Sequence, residues 1–173
     1  VFSTVETDSG QYDTNADIHW ATGACLMVHR KVYVDCGGLD SRFFAHNEEI
    51  DLCWRMRLYG HRIVCVTHSA VYHLGGGTLP QGNPRKTFLN FRNNLLMLYK
   101  NLPEDELKSV MRMRWWLDML AAMQFLAKFD FANFKAVLRA NREFRRMKPG
   151  FEADRQLNLS LRKIKGRVPE RCD

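Results

Sequence analysis

The stretch FFAHNEEIDLCWRMRLYGHRIVCVTHSAVYH, Phe43 to His73, decides how the rest of the chain is read. Three carboxylates, Glu48, Glu49 and Asp51, fall within four positions. Helical spacing follows at once, with Ile50, Cys53, Trp54 and Arg57 on one side and Leu52, Met56 and Tyr59 on the other. Apolar residues nearly all round predict a buried helix from Glu48 to Tyr59. Acids suit its N-terminal dipole and Gly60 its C-cap. Charged groups at the mouth of a buried helix are costly unless something neutralises or uses them. Positions i and i+3 share a face, which pairs Glu48 with Asp51 and turns Glu49 elsewhere; Asp51 and Arg55, four apart, can form an ion pair.

Upstream, residues 1–17 read as a polar loop. Ile18 to His29 reads as an apolar strand, with Gly23 and Ala24 marking a close approach to its backbone. A short helical turn, Arg30 to Cys36, stops at Gly37-Gly38. Downstream, Arg62 to Val66 and Ala70 to His73 read as extended, ending at Gly75-Gly76-Gly77. The pattern then turns helical: Thr87 to Lys100, a second helix opened by Pro103 and three acids and running to about Lys128, and a third from Phe131 to Met147. Pro149-Gly150 ends it, and residues 149–173 read as a polar, basic, poorly ordered tail.

The 173 residues, 46% hydrophobic, can bury a core. Charge divides them: residues 1–83 carry six Lys and Arg against nine acids, residues 84–173 twenty against ten. The units expected are thus an acidic 1–83 half, a basic helical extension over 84–148, and the 149–173 tail. Such asymmetry fits an anionic membrane or a nucleic acid, but no nucleic-acid motif is present, so no nucleic-acid partner is expected. Of five cysteines without CxxC pairing, four sit in apolar runs as small buried hydrophobes do; the odd number without a framework fits a reducing compartment, and no Cys/His spacing supports zinc. No run approaches the ~18–20 apolar residues that cross a bilayer, and no signal-peptide pattern is seen. Beginning on Val in mid-domain sequence, the chain reads as a fragment of a longer protein.

Two chemistries are open for the acids. Clustered carboxylates raise one another's pKa, as a general base requires; equally, acids in a first turn can be solvated and inert. His73, after an extended segment and before three glycines, suits a metal ligand or a phosphate contact, or a merely structural role. Trp115, Trp116, Met119, Met123 and Phe125 among Arg112, Arg114 and Lys128 suit either a helix at a membrane surface or core packing.

Six motifs in order, Trp20-Ala21-Thr22-Gly23-Ala24-Cys25, Cys36-Gly37-Gly38-Leu39-Asp40, Phe43-Phe44, Glu48 through Arg55, Gly60-His61-Arg62-Ile63, and Val71-Tyr72-His73 with Gly76, resemble the C-terminal half of family 2 inverting glycosyltransferases of the GT-A fold. The resemblance covers about residues 18–100. It implies an α/β fold, the acceptor-side part of a GT-A-like mixed sheet with a helical C-terminal extension. It also implies direct displacement, with inversion, of a nucleotide diphosphate by an acceptor hydroxyl. The base of the family's Glu-Asp pair falls on Glu49; Glu48 and Asp51 would orient acceptor or base, with Arg55 anchoring Asp51. Gly23 and Ala24 would lie beneath the donor sugar, with Trp20 near the acceptor. His73 would share a divalent metal, Mn or Mg, with a DxD motif. Arg92, paired with Asn93 as in many bacterial members, would reach the diphosphate or the phosphate of a lipid-linked acceptor, or else be a plain helix-surface arginine. The expected partners are a nucleotide-sugar donor and a glycan or lipid-linked acceptor for cell-surface polysaccharide, on the cytoplasmic side, with peripheral membrane contact.

Two departures qualify this. The pair here is Glu-Glu; one extra methylene moves the carboxylate by about 1.5 Å, so either Glu48 or Glu49 can be the base. The chain also lacks a nucleotide-binding half and a DxD motif, so it is expected to be inactive alone and to self-associate through uncovered apolar surface. The rival reading is a non-catalytic basic helical module for anionic membrane or a partner subunit.

Overall fold

A computed structural model describes residues 7, 9–73 and 82–162. The glycine run 75–77 and the tail beyond 162 lie outside them. Helix α2 (Glu48–Leu58) joins two cores. Leu52, Cys53 and Met56 pack with Cys36 and Ile63, while Ile50 and Trp54 pack against Phe43, Leu96, Met97, Tyr99 and Phe151. Before it come β1 (Ala16–Asp17) and α1 (Arg30–Asp35); after it come β2 (Val64–Cys65), α3 (Pro84–Asn101), α4 (Glu104–Ala127), α5 (Phe131–Met147) and α6 (Glu152–Ser160). Helices α3, α4 and α5 pack on one another, and α2 and α6 lie against α3.

Helix starts follow the local chemistry. Asn83 caps α3 by accepting from the Arg85 N–H at 2.8 Å, with Pro84 in the first turn. Asp130 caps α5 through the Asn133 N–H at 3.0 Å. Gly38 sits at φ 62°, where a side chain would meet the Tyr33 ring at 2.9 Å, so only glycine fits the turn after α1.

Three expectations change. The only sheet among the described residues is the antiparallel pair β1–β2, two residues each. Residues 18–29 form no strand: Thr22 caps a 3-10 turn at Gly23–Cys25 instead, its hydroxyl accepting from the Ala24 N–H. The tail is ordered over 149–160. A 3-10 turn (Lys148–Phe151) leads into α6, and Phe151 is buried edge-on against Phe43, with the Arg42 guanidinium 3.8 Å above its ring. Arg155, also buried, donates to the carbonyls of Tyr99 and Leu102 and to Glu104. Cys36 and Cys53 are buried as expected, whereas Cys25 and Cys65 are exposed. Met27, Val34, Val66 and Tyr72 also stand exposed.

Candidate active site

The loop entering α2 is built against backbone preference. Phe44, His46 and Asn47 all have φ between 67° and 70°, which non-glycine residues adopt only at a cost of order 1–3 kcal/mol each. Neighbouring α3 holds them there. Asn93, fully buried, aims its amide nitrogen at the carbonyls of Phe43 (2.9 Å), Ala45 (2.8 Å) and His46 (2.7 Å). Arg92 donates to the carbonyls of Phe43 (3.0 Å) and Arg42 (3.3 Å), and to Asn93 Oδ1. Nε and one terminal nitrogen of Arg92 are thus engaged in holding this loop and its neighbour Asn93.

Beyond the loop, the acids separate. Asp51 is fully buried with both oxygens occupied: Oδ1 accepts from Asn101 (2.7 Å), Oδ2 from Arg55 (2.8 and 3.0 Å) and Lys100 (2.9 Å). Lys100 also donates to Asp40 at 2.9 Å, and Arg55 to the carbonyls of Cys36 and Gly38. Asn158 of α6 extends the network, accepting from Tyr59 and donating to Asn101. Arg55 anchors Asp51 as its spacing predicts. Neither is placed to touch a substrate: Asp51 orients the helix, not an acceptor, and the buried Arg55 is no binding residue.

Glu48 and Glu49 remain, only half-buried. Oε2 of each is buried and accepts no hydrogen bond from a permanent donor among the described residues, the two carboxyls having only each other to share a proton with, and Nε2 of His46 is likewise buried without a partner there. Buried polar atoms are rarely left so, and three within four residues mark a place where a ligand can complete the bonding. Burial pushes the Glu49 carboxyl above its ordinary pKa; its own backbone N–H opposes this, and neighbouring Glu48 adds to the rise. Glu48 thus acts on Glu49, while Asp51 is held by Arg55, Lys100 and Asn101. Burial and then Lys86 push His46 down, against Glu48, which favours the neutral imidazole near pH 7. No motif marks His46; its place two positions before the acids is the sequence signal that could have found it.

Gly23 lies beside Glu49, since a Cβ there would stand 3.9 Å from Glu49 Cβ, and Ala24 is exposed next to it. Trp20 lines a cavity of about 590 Å³ with Ile50, Trp54 and Arg57 of α2 and Met97 of α3. Neither glutamate lines that cavity; it lies on the side of α2 that carries Ile50 and Trp54. His73 is exposed at the edge of the described residues. No group of three or more His, Cys, Asp or Glu able to hold a metal occurs among the described residues, so they do not form a metal site by themselves.

The arrangement, a desolvated carboxylate pair on a clamped helix start, is suited to taking a proton from a bound hydroxyl. The comparisons agree with that class in part: the relatives found are glycosyltransferases or proteins of glycan synthesis. Over 56 residues the chain is 36% identical to N-acetylglucosaminyl-diphospho-decaprenol L-rhamnosyltransferase of Mycobacterium tuberculosis, covering 32% of this chain and 18% of that protein. Over 52 residues it is 33% identical to the O-antigen biosynthesis protein RfbC of Myxococcus xanthus, covering 30% of this chain and 4% of that protein. The likeness thus spans less than a fifth of either relative. No protein-family model and no solved structure matches the chain.

Proposed function

We propose that this chain is the acceptor-activating part of an inverting glycosyltransferase of the family 2, GT-A-like kind, acting in cell-surface polysaccharide synthesis at the cytoplasmic face. The observation that carries this reading is the pair of buried carboxylate oxygens on Glu48 and Glu49, without a permanent donor among the described residues, at a helix start that Arg92 and Asn93 hold in place. Glu49 takes the proton of the acceptor hydroxyl as its oxygen attacks the anomeric carbon of a nucleotide diphosphate sugar and the diphosphate leaves. Burial keeps the proton affinity of Glu49 high, and Glu48 adds to it. The Gly23-Ala24 turn provides a surface free of bulk beside the reacting groups. The Trp20 cavity is large enough for one or two sugar rings and offers aromatic faces to them.

A divalent metal belongs to the family resemblance. In that resemblance His73 would be the ligand this chain supplies, beside those of the DxD motif. The nucleotide-binding part and a DxD motif would come from sequence outside this chain.

The test is transfer by the full-length protein. Presented with nucleotide diphosphate sugars and a polyprenyl-diphosphate-linked acceptor, it should release nucleoside diphosphate. The new glycosidic bond should have anomeric configuration opposite to that of the donor, as read by NMR. Retention of configuration, or no transfer from any donor with the acceptor present, would remove the inverting assignment.

A further inference from the structure

Helix α4 turns its most apolar side outward. Met113, Trp116, Leu117, Leu120 and Met123 share one side of the helix, linked by spacings of three and four residues such as 113–117 and 116–120, and Trp116 and Leu120 are each 68% exposed. The opposite side, Asp118 and Ala122, is buried. Beside the stripe, Lys108 and Arg112 flank a groove floored by Met111, Trp115 and Trp116, the two indoles meeting edge to face at 4.8 Å. Helix α5 repeats the chemistry: Phe131, Lys135, Leu138, Arg142 and Arg145 share its exposed side.

Charge says what covers these faces. Helices α4 and α5 with the turn between them, residues 104–147, hold nine Lys and Arg against six acids, three of the acids, Glu104, Asp105 and Glu106, being confined to the first turn of α4. Beyond that turn each acid is engaged: Asp118 with Arg114 at 2.7 Å, Asp130 in capping α5, Glu143 with Arg146. The exposed cations Lys108, Arg112, Lys128, Lys135, Arg142 and Arg145 have no acidic partner within salt-bridge distance among the described residues. No helix of the described residues is long and apolar enough to cross a membrane.

We infer that the outer faces of α4 and α5 dock on an anionic phospholipid surface. The aliphatic stripe enters the boundary between headgroups and acyl chains, the indoles sit at headgroup level, and the cations meet lipid phosphates. RNA accounts for the cations but not for Leu117, Leu120, Met113 and Met123, which offer no stacking plane to a base. The inference is independent of the transfer chemistry, and its test needs no turnover.

The full-length protein is floated with phosphatidylcholine vesicles and with an equal mixture of phosphatidylcholine and phosphatidylglycerol. Anionic vesicles should bind it at least about ten-fold more strongly, and raising NaCl from about 0.1 to about 0.5 M should weaken that binding. The double variant Trp116→Glu, Leu120→Glu, and separately Lys135→Glu, Arg142→Glu, should each lose about ten-fold in binding with unchanged circular dichroism. As these positions are exposed, folding should survive; should it not, brominated acyl chains test the wild type directly, quenching an emission component that Trp116→Phe removes. Equal binding to both vesicle types, undiminished binding by folded variants, or absence of quenching would overturn the proposal. So would single-stranded RNA binding more tightly than vesicles and indifferent to the Trp116 and Leu120 changes. A dimer that those two changes convert to monomer would also overturn it, giving the face to a second copy of the chain.

Discussion

Glu49→Gln in the full-length protein is expected to lower the transfer rate by about 10²–10⁴-fold, the usual worth of a positioned general base, while leaving donor binding nearly unchanged. Stability should move the other way or not at all. Burial raises the Glu49 pKa in the folded state. A group whose folded pKa is raised adds stability below its unfolded pKa, and that stability is lost as pH rises through the folded value. At neutral pH the ionised carboxylate is therefore a burden on the fold, and the neutral amide relieves it. Thermal unfolding at pH 7.5 should show a Tm equal to or above that of the parent. Unchanged turnover would remove Glu49 from the role. A large fall in Tm accompanying the lost rate would make it a structural residue.

Asp51→Ala should do the reverse. Asp51 accepts from Arg55, Lys100 and Asn101 with no access to solvent. Removing it leaves Arg55 without its carboxylate, Lys100 with Asp40 alone, and Asn101 short of an acceptor. Breaking a buried ion pair in this way costs about 3–5 kcal/mol, a large part of the stability of a small domain. Chemical denaturation should show that loss as a lower midpoint at unchanged slope. Transfer should fall only as far as folded protein is lost. A stable but inactive Asp51→Ala would return this residue to the catalytic group and contradict the network's structural role.

What could be read from the residues was what local chemistry controls. Pro103 with its three acids, and Phe131 to Met147 before Pro149-Gly150, delimit α4 and α5 because caps and breakers act within a turn. Asp51 and Arg55 could be paired because four residues make one turn. What Asp51 meets at positions 100 and 101 depends on packing across about fifty residues of chain, which no local pattern encodes. The same holds for Phe44 and His46: neither residue type favours φ near 70°, and Asn93 imposes it from another helix. Residues 152–160 looked disordered because Arg155 and Asn158 are polar, yet both are buried by hydrogen bonding and not by hydrophobicity. Ile18 to His29 looked like a strand because it is apolar, although it lacks two-residue alternation and Thr22-Gly23 favours a turn.

The claim that everything else serves is that Glu49 takes the proton, its affinity raised by burial and further by Glu48. The pH dependence of kcat in the full-length protein, with and without Glu48→Gln, tests it most directly. The parent should lose rate on the acid side as a single group is protonated, at a pH above the ordinary carboxyl range. Removing the neighbouring charge should move that acid limb to lower pH. An acid limb that stays where it was in Glu48→Gln, or one that survives unchanged in the residual activity of Glu49→Gln, would contradict the account.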